Sequence, residues 1–471
     1  MKTDIGIIGM AVMGQNLALN VESKGYSVSV YNRSSKRTEE FVQERANDRE
    51  MVPAYELSDF VSSLERPRKI LLMIKAGRPV DKVISRLIPM LDEGDVIIDG
   101  GNSNFEDTNR RIEEVNEEGI LYLGTGISGG EYGARHGPSI MPGGNQRAYE
   151  IVGDILEDAA ARTAEGPCCT YLGPRSAGHY VKMIHNGIEY GVMESIAEAY
   201  WLMNKGVGNT PEEMSSTFER WNEALDSYLM EITAAILAKK DDETGEPLVN
   251  LILDTAEQKG TGKWTAKDAL KLGVPVPTIT AAVDGRFISS RKEERVDNSV
   301  KLEGGQAARL PDNKNWVGKI RDSLELATLS AYAQGMYLLA VASSEYDYDL
   351  DLHEVARIWK DGCIIRSSVL GQIQRGLEAG PENPNLIFEE PFLSEISDKL
   401  DSTRRVLAGG REAGIALPAI SSSLDYIVSF SSADLPANMI QAQRDFFGAH
   451  TYQRRDREGY FHTEWTENKS S

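Results

Sequence analysis

The chain has 471 residues, 41% of them hydrophobic and 26% charged, with a formal net charge of −21. That length exceeds one ordinary core and predicts two or three domains, and no apolar run approaches the roughly 20 residues that a membrane span needs. The acidic balance argues against nucleic acid as a partner, because no basic stripe is present to displace counterions, and it requires any anionic substrate to meet a locally positive site.

The first predicted element is a strand, "DIGIIG", leading into "MAVMGQNLALN". Gly9, Ala11 and Gly14 occupy the G-x-G-x-x-G positions, with Ala in the middle. The first glycine permits a tight turn, the last lets helix and strand pack closely, and the helix N-terminus offers backbone N–H groups to a pyrophosphate. The second run, "SVSVYN", continues into Asn32, Arg33 and Ser34. An NAD site places Asp or Glu there to accept hydrogen bonds from the ribose. An amide, a guanidinium and a hydroxyl instead suit a 2′-phosphate, so NADP is expected.

The runs "KILLMI", "DVIIDG" and "ILYLG" alternate with amphipathic segments such as Ser35–Arg45 and Pro79–Leu91. This alternation predicts a parallel sheet covered by helices, a doubly wound, Rossmann-like α/β domain over residues 1–176. Ligands bind beyond the carboxyl ends of such strands. That rule singles out "IKAG" with Lys75, "DGGNS" with Asn102, and the glycine-dense "GTGISGGEYGARHGPSIMPGG". The glycines of the last segment are expected to admit a ligand to the backbone, with Ser128, Gly129 and Gly130 presenting a hydroxyl and N–H groups to an oxyanion.

From Ser176 the strand signal stops. Helical patterns follow at about 177–206, 211–240, 264–273, 279–302, 318–344, 352–376, 392–413 and 418–431, a large all-α domain over 177–433. Two of the long helices precede "FERW" and "ARIW", as a duplicated unit would. The first helix contains "KMIHNGIEYGVMES". Lys182, His185, Asn186, Glu189 and Tyr190 fall in one sector roughly 140° wide, with Gly187 and Gly191 at its edge. Each glycine costs about 1 kcal/mol against Ala, which points to close approach of a backbone or ligand. A merely solvated face carries Lys, Glu and Gln rather than Asn, His and Tyr between glycines. Lys182, with its pKa lowered by burial, would serve as a base, and a desolvated Glu189 as an acid.

The tail, 434–471, is aromatic and basic, and its last part shows no helical period; docking on another subunit is expected. Cys168, Cys169 and Cys363 form no disulfide framework, and no Cys/His spacing marks a metal site. That cysteine usage makes a reducing cytoplasm the expected location, and no signal-peptide pattern is read before Ile5.

Eight segments, "GMAVMG", "NRS", "IKAG", "DGGNS", "SGGEYGARHGPSIMPGG", "KMIHNGIEYG", "QKGTGKWT" and "QRDFFGAHTY", stand in an order that resembles the 6-phosphogluconate dehydrogenases, decarboxylating NADP enzymes of the pentose phosphate pathway. The resemblance runs from the first strand to the tail, with mild departures at Ser34 (commonly Thr), Ile74 (commonly Val) and Val192 (often polar). It implies that Lys182 takes the proton of the substrate 3-hydroxyl and that Glu189 protonates C1 of the enediol. It implies NADP contacts from Gly9, Ala11, Val12, Met13, Gly14, Asn32, Arg33, Ser34, Ile74, Lys75, Ala76 and Asn102. Asn102, Ser128, Gly129, Gly130, His185 and Asn186 would hold the sugar-acid end of 6-phosphogluconate. Tyr190, Lys259, Thr261 and Arg286 would hold its phosphate, with Arg444 and His450 from the tail of a partner in a homodimer. Two other readings compete. A dehydrogenase for a smaller, unphosphorylated 3-hydroxyacid would not need Arg286, Lys259 or the tail. A silent NADP-binding scaffold would have lost Lys182 or Glu189.

Overall fold

The computed structural model describes residues 2–47, 49–258, 260–301, 308–311, 315–378, 380 and 384–466. The chain divides into two compact units, Met1–Leu424 and Asp425–Ser471.

The first unit opens with β1 (Ile5–Ile8), β2 (Val28–Tyr31), β3 (Met51–Ala54), β4 (Lys69–Leu72), β5 (Val96–Asp99), β6 (Leu121–Ser128) and β7 (Ser139–Gly144). They form one sheet in the order β3-β2-β1-β4-β5-β6-β7. Strands β1 to β6 are parallel and β7 returns antiparallel along β6. The connecting helices are α1 (Val12–Ser23), α2 (Ser35–Arg45), α3 (Leu57–Ser62), α4 (Arg78–Leu87), α5 (Phe105–Glu117), α6 (Gly130–His136) and α7 (Gln146–Ala159). One core packs Leu17, Phe41 and Ile155 on one face of the sheet; the other packs Phe60, Ile84 and Val115 on the opposite face. Helices on both faces bury the strands from both sides, which is why they read as apolar runs. The strand order reverses between β1 and β4, and that switch point is where this fold opens a crevice.

Two strands escape the apolar-run reading. β3, "MVPA", is a four-residue edge strand with a proline, and β7, "SIMPGG", carries Pro142 and two glycines on the other edge. Proline and glycine suppress the strand signal, and proline is tolerated at an edge because it removes a ladder donor there. The parallel sheet expected from the alternation is present over β1 to β6, and β7 adds an antiparallel strand at its edge.

A two-residue pair, β8 (Arg162–Thr163) with β9 (Gly166–Pro167), leads to the helices. These are α8 (Ala177–Trp201), α9 (Pro211–Leu225), α10 (Tyr228–Ala238), α11 (Thr261–Leu272), α12 (Pro277–Ser289), α13 (Lys292–Ser299), α14 (Trp316–Glu345), α15 (Leu352–Ile358), α16 (Val369–Glu378), α17 (Phe392–Glu412) and α18 (Pro418–Phe430). α8 closes in a π-helical turn, Leu202–Val207, and packs along α14, which also packs on α17. Three expected helices are broken in two. The 211–240 pattern stops at Asp226, held left-handed at φ 40°, and the 279–302 pattern stops at Ser290. The 352–376 pattern is interrupted by a loop over 359–368, where Gly362 has φ 67° and its carbonyl accepts from Ser139 N at 2.7 Å.

The glycine-dense segment also has a different reason from the one expected. A Cβ at Gly124 would meet the His179 ring at 2.8 Å, one at Gly126 would meet Lys182 Cβ at 2.4 Å, and one at Gly143 would meet Gly178 N at 2.2 Å. These glycines let α8 lie directly on β6 and β7. Only Gly129 and Gly130, at the carboxyl end of β6, face a cleft.

The second unit holds α19 (Ala437–Gly448) and a short hairpin of β10 (Tyr452–Gln453) and β11 (Tyr460–Phe461). The buried Asp445 carboxylate organises it, accepting from Thr451 N, His462 Nδ1, Thr463 N and Trp465 Nε1 at 2.8–3.1 Å. The helix α19 lies in a stretch expected to be irregular only in its last part.

Candidate active site

The nucleotide end is built by the turn after β1. Gly9 has φ 110°, and a Cβ on it would meet the Met73 carbonyl at 2.4 Å; a Cβ on Gly14 would meet the Gly9 carbonyl at 1.9 Å. Both positions therefore demand glycine. Ala11 caps α1 without a side-chain hydrogen bond, and Ala11 and Val12 are exposed. The first N–H groups of α1 thus remain available to an anion, and the positive end of the helix dipole favours one there. This cradle fits a pyrophosphate.

At the end of β2, Asn32 is used internally. Its Oδ1 accepts from Met10 N at 3.1 Å and its Nδ2 donates to Ser34 O at 3.2 Å, tying β2 to the turn. Arg33 and Ser34 are exposed beside it. After β4, Ile74 and Ala76 are half-buried and Lys75 is exposed. Ile74 packs against Gly9, so this loop adjoins the phosphate turn.

The carboxyl end of β6, the middle of α8 and the start of α11 enclose a cleft of about 340 Å³. It is lined by the expected Met13, Asn102, Ser128, Gly129, Gly130, Lys182, Asn186, Glu189, Tyr190, Thr261 and Arg286, and by Ile127, Glu257, Gln258 and Ile364, which the sequence did not single out. Ile364 was hidden inside a run read as continuous helix. Its N–H reaches Ser128 Oγ at 3.4 Å, so the 359–368 loop forms part of the wall.

The polar face of α8 is buried, which answers whether it is a solvated surface. Lys182 is 5% exposed and His185 is 0% exposed. Burial pushes the Lys182 ammonium down to about 8, against the opposing pull of Glu189 and Cys363. Burial, and then the charge of Lys182, holds His185 well below its ordinary value, so the ring is neutral. His185 lies behind the cleft wall. Its Nε2 is 3.1 Å from Ser128 Oγ; its Nδ1 is 3.1 Å from Asn186 Oδ1, 3.4 Å from Lys182 Nζ and 4.0 Å from Glu189 Oε2. Asn186 Oδ1 selects the tautomer protonated at Nδ1, leaving Nε2 to accept from the Ser128 hydroxyl. Trp359 closes the far side of the ring, edge-on at 5.5 Å.

Gly187 and Gly191 are explained by packing. A Cβ at Gly187 would meet Thr265 of α11 at 2.6 Å, and one at Gly191 would meet Ala331 of α14 at 3.1 Å. Thr265 Oγ1 also donates to Met183 O at 2.9 Å, locking α11 onto α8. That lock brings Thr261 and the N-terminus of α11 to the cleft. Gly260 caps α11 at φ 99° with no side-chain cap, so its first N–H groups form a second anion-favouring helix end. Arg286 stacks on the Tyr190 ring, 3.4 Å from its centroid, a cation–π contact that holds the guanidinium at this end. One guanidinium and one helix N-terminus therefore stand at this end of the cleft, with the Glu257 side chain also in its lining. Lys259 lies outside the described residues. Arg444 and His450 stand in the second unit, both exposed; Arg444 donates to Gln441 Oε1 at 3.0 Å, and His450 lies edge-on to Phe447 at 5.9 Å. Among the described residues no helix is long and apolar enough to cross a membrane.

The family described as "NAD binding domain of 6-phosphogluconate dehydrogenase" matches residues 4–173, and that described as "6-phosphogluconate dehydrogenase, C-terminal domain" matches residues 178–465. The chain is 53% identical over 464 residues to a decarboxylating 6-phosphogluconate dehydrogenase of Synechococcus elongatus, covering 98% of each. It is 51% identical over 466 residues to the NADP(+)-dependent, decarboxylating enzyme of Bacillus subtilis, covering 98% of this chain and 99% of that one. The structure is similar to that of Plasmodium falciparum 6-phosphogluconate dehydrogenase, which has been solved in its apo form, with its cofactor NADP+ and with its substrate 6-phosphogluconate. The TM-score is 0.94 at 44% identity, covering 98% of this chain and 100% of the other.

Proposed function

The chain belongs to the 6-phosphogluconate dehydrogenase family, and from that premise we propose that it converts 6-phosphogluconate to ribulose 5-phosphate and carbon dioxide, with NADP as oxidant, in the pentose phosphate pathway. The observation that carries this reading is one cleft in which a single helix, α8, presents Lys182, Glu189 and Tyr190 together with Ser128, Gly129 and Gly130 from the end of β6, Thr261 from the start of α11, and Arg286.

The distance from Lys182 to Tyr190 is eight residues of helix, about 12 Å along the axis, commensurate with an extended sugar acid. Bound NADP supplies the hydride acceptor. Lys182, held near neutrality by burial, takes the proton of the 3-hydroxyl. The ammonium so formed then hydrogen-bonds the new carbonyl oxygen and stabilises negative charge on it as carbon dioxide leaves. Ser128, the N–H groups of Gly129 and Gly130, and Asn102 hold the carboxylate end, while neutral His185 fixes the Ser128 hydroxyl. Glu189, at the edge of the cleft, delivers a proton to C1. Arg286, Thr261 and the α11 N-terminus, with Lys259, hold the phosphate.

The cofactor half is read as residues 1–176, the substrate half as 177–433, and the tail, 434–471, as an arm reaching a second copy of the chain in a homodimer. Support comes from α19, whose Met439, Ile440, Phe446 and Phe447 are 59–73% exposed; an apolar face of that kind marks an interaction surface. In the dimer, Arg444 and His450 would serve the partner's phosphate end. A cytoplasmic location accords with three buried, unpaired cysteines. The test is product identity. With NADP present, 6-phosphogluconate should yield ribulose 5-phosphate; accumulation of a stable six-carbon keto acid would overturn the reading.

A further inference from the structure

α5 stands behind the two strand-end loops assigned to the cofactor, and one of its residues grips both. Arg111 is 1% exposed, so it lines no cleft. Its nitrogens reach two separate segments, residues 77–81 and 99–103. Nε donates to Asp81 Oδ1 at 2.8 Å, in the first turn of α4. Nη2 donates to the Gly77 carbonyl at 3.1 Å, where the "IKAG" loop becomes α4. Nη1 donates to Ser103 Oγ at 3.2 Å and lies 3.4 Å from Asp99 Oδ2, at the two ends of "DGGNS".

Asp99, fully buried, completes the arrangement. Its Oδ1 accepts from Gly101 N at 3.1 Å; its Oδ2 accepts from Ser103 Oγ at 2.6 Å and from the Tyr122 hydroxyl at 3.0 Å. The two loops touch: a Cβ at Gly101 would lie 3.1 Å from the Ile74 carbonyl. The same helix also holds the head of α8. Thr108 Oγ1 lies 2.7 Å from His179 Nδ1, Asn109 Oδ1 accepts from Ser176 N at 3.0 Å, and Phe105 meets Tyr180 edge-on at 5.0 Å. A planar guanidinium with a fixed fork of donors can bridge two loops through three nitrogens at once; an ammonium cannot reproduce that geometry.

We propose that Arg111 is a positioning residue for the nucleotide cofactor, clamping the Ile74–Gly77 and Asp99–Ser103 loops in one register so that Lys75, Ala76 and Asn102 meet NADP together. The proposal rests on the cofactor assignment given above. If Arg111 served only as a structural buried charge, replacing it would lower thermal stability and leave nucleotide and sugar-acid affinities equally affected or equally intact. A clamp affects the nucleotide far more than the sugar acid, because Lys75 and Ala76 serve only the nucleotide and Asn102 alone of the clamped residues serves both.

The test measures NADPH binding by fluorescence and 6-phosphogluconate binding by calorimetry without nucleotide, in the wild type, Arg111→Met and Arg111→Lys. Arg111→Met should weaken NADPH binding tenfold or more, weaken 6-phosphogluconate binding by no more than about threefold, since of the clamped residues only Asn102 serves the sugar acid, and raise KM for NADP in parallel with the NADPH effect. Arg111→Lys, which keeps the buried charge and serves if the Met variant does not fold, should weaken NADPH binding by about three- to tenfold. A folded Arg111→Lys protein with NADPH affinity within twofold of wild type overturns the clamp, as does a parallel loss of both affinities. A wild type that does not bind NADPH would instead overturn the cofactor assignment itself.

Discussion

A Cβ on Gly126 would lie 2.4 Å from Cβ of Lys182. Strand β6 thus passes beneath the proposed base with only a hydrogen atom between them. This contact, together with Gly143 against Gly178, sets the depth at which Lys182 enters the cleft and therefore how thoroughly it is dehydrated.

Gly126→Ala tests that dependence. The added methyl must push α8 away from β6, and overpacking of this kind costs about 1–3 kcal/mol. Thermal unfolding should record the loss, and kcat should fall at least tenfold with KM for NADP little changed. An unaltered kcat would mean that the depth of Lys182 is not set by this contact.

Lys182→Met should abolish hydride transfer, with kcat reduced by roughly 10²–10⁴-fold, while NADPH binding persists. The same substitution should stabilise the protein. Lowering the Lys182 pKa from the usual 10.5 to about 8 corresponds to a folding penalty of roughly 3 kcal/mol, present in full below pH 8. Between pH 8 and 10.5 the unfolded chain holds a proton that the folded chain has lost, so the wild type gains stability as pH rises through that window. Denaturant titrations at pH 7 and pH 10 should show the Met variant's advantage shrinking at the higher pH. An advantage that grows would reverse the sign of the argument.

The pH profile of turnover follows from the same group. A base with a pKa of about 8 in the free enzyme makes kcat/KM for 6-phosphogluconate fall about tenfold per pH unit well below 8. Initial rates from pH 6 to 9 check this. A profile flat across pH 7 to 9 would assign the proton transfer elsewhere.

Arg286→Ala removes the guanidinium stacked on Tyr190. A charge-assisted phosphate contact of this kind is worth about 1.5–3 kcal/mol, so KM for 6-phosphogluconate should rise about 10–100-fold with a smaller change in kcat. Truncation before Arg444 should act in the same direction through the partner subunit. If either variant keeps the wild-type KM, that residue or segment has no part in holding the phosphate.

Much of this site is legible in the sequence because the chemistry is concentrated on one helical face and a few strand ends. The spacing of Lys182, His185, Asn186, Glu189 and Tyr190 needs no tertiary information, and Gly9 and Gly14 announce a turn that only glycine can make. What escaped depends on long-range packing. Gly124, Gly126 and Gly143 serve α8 rather than a ligand, a distinction invisible until β7 folds back along β6. The 359–368 loop reads as helix by composition, yet Gly362 breaks it to pair with Ser139, and only then does Ile364 join the cleft. The buried Arg111 is an ordinary helix arginine in sequence; its partners Gly77, Asp81, Asp99 and Ser103 come from two separate segments outside its own helix.

The most direct measurement of the central claim is the stoichiometry of a single reaction. Incubated with NADP and 6-phosphogluconate labelled with ¹³C at C1, the protein should form NADPH and labelled carbon dioxide in equal amounts and at equal rates. NADPH formed without labelled carbon dioxide would reduce the activity to a simple dehydrogenation, and no NADPH at all would contradict the account from its first step.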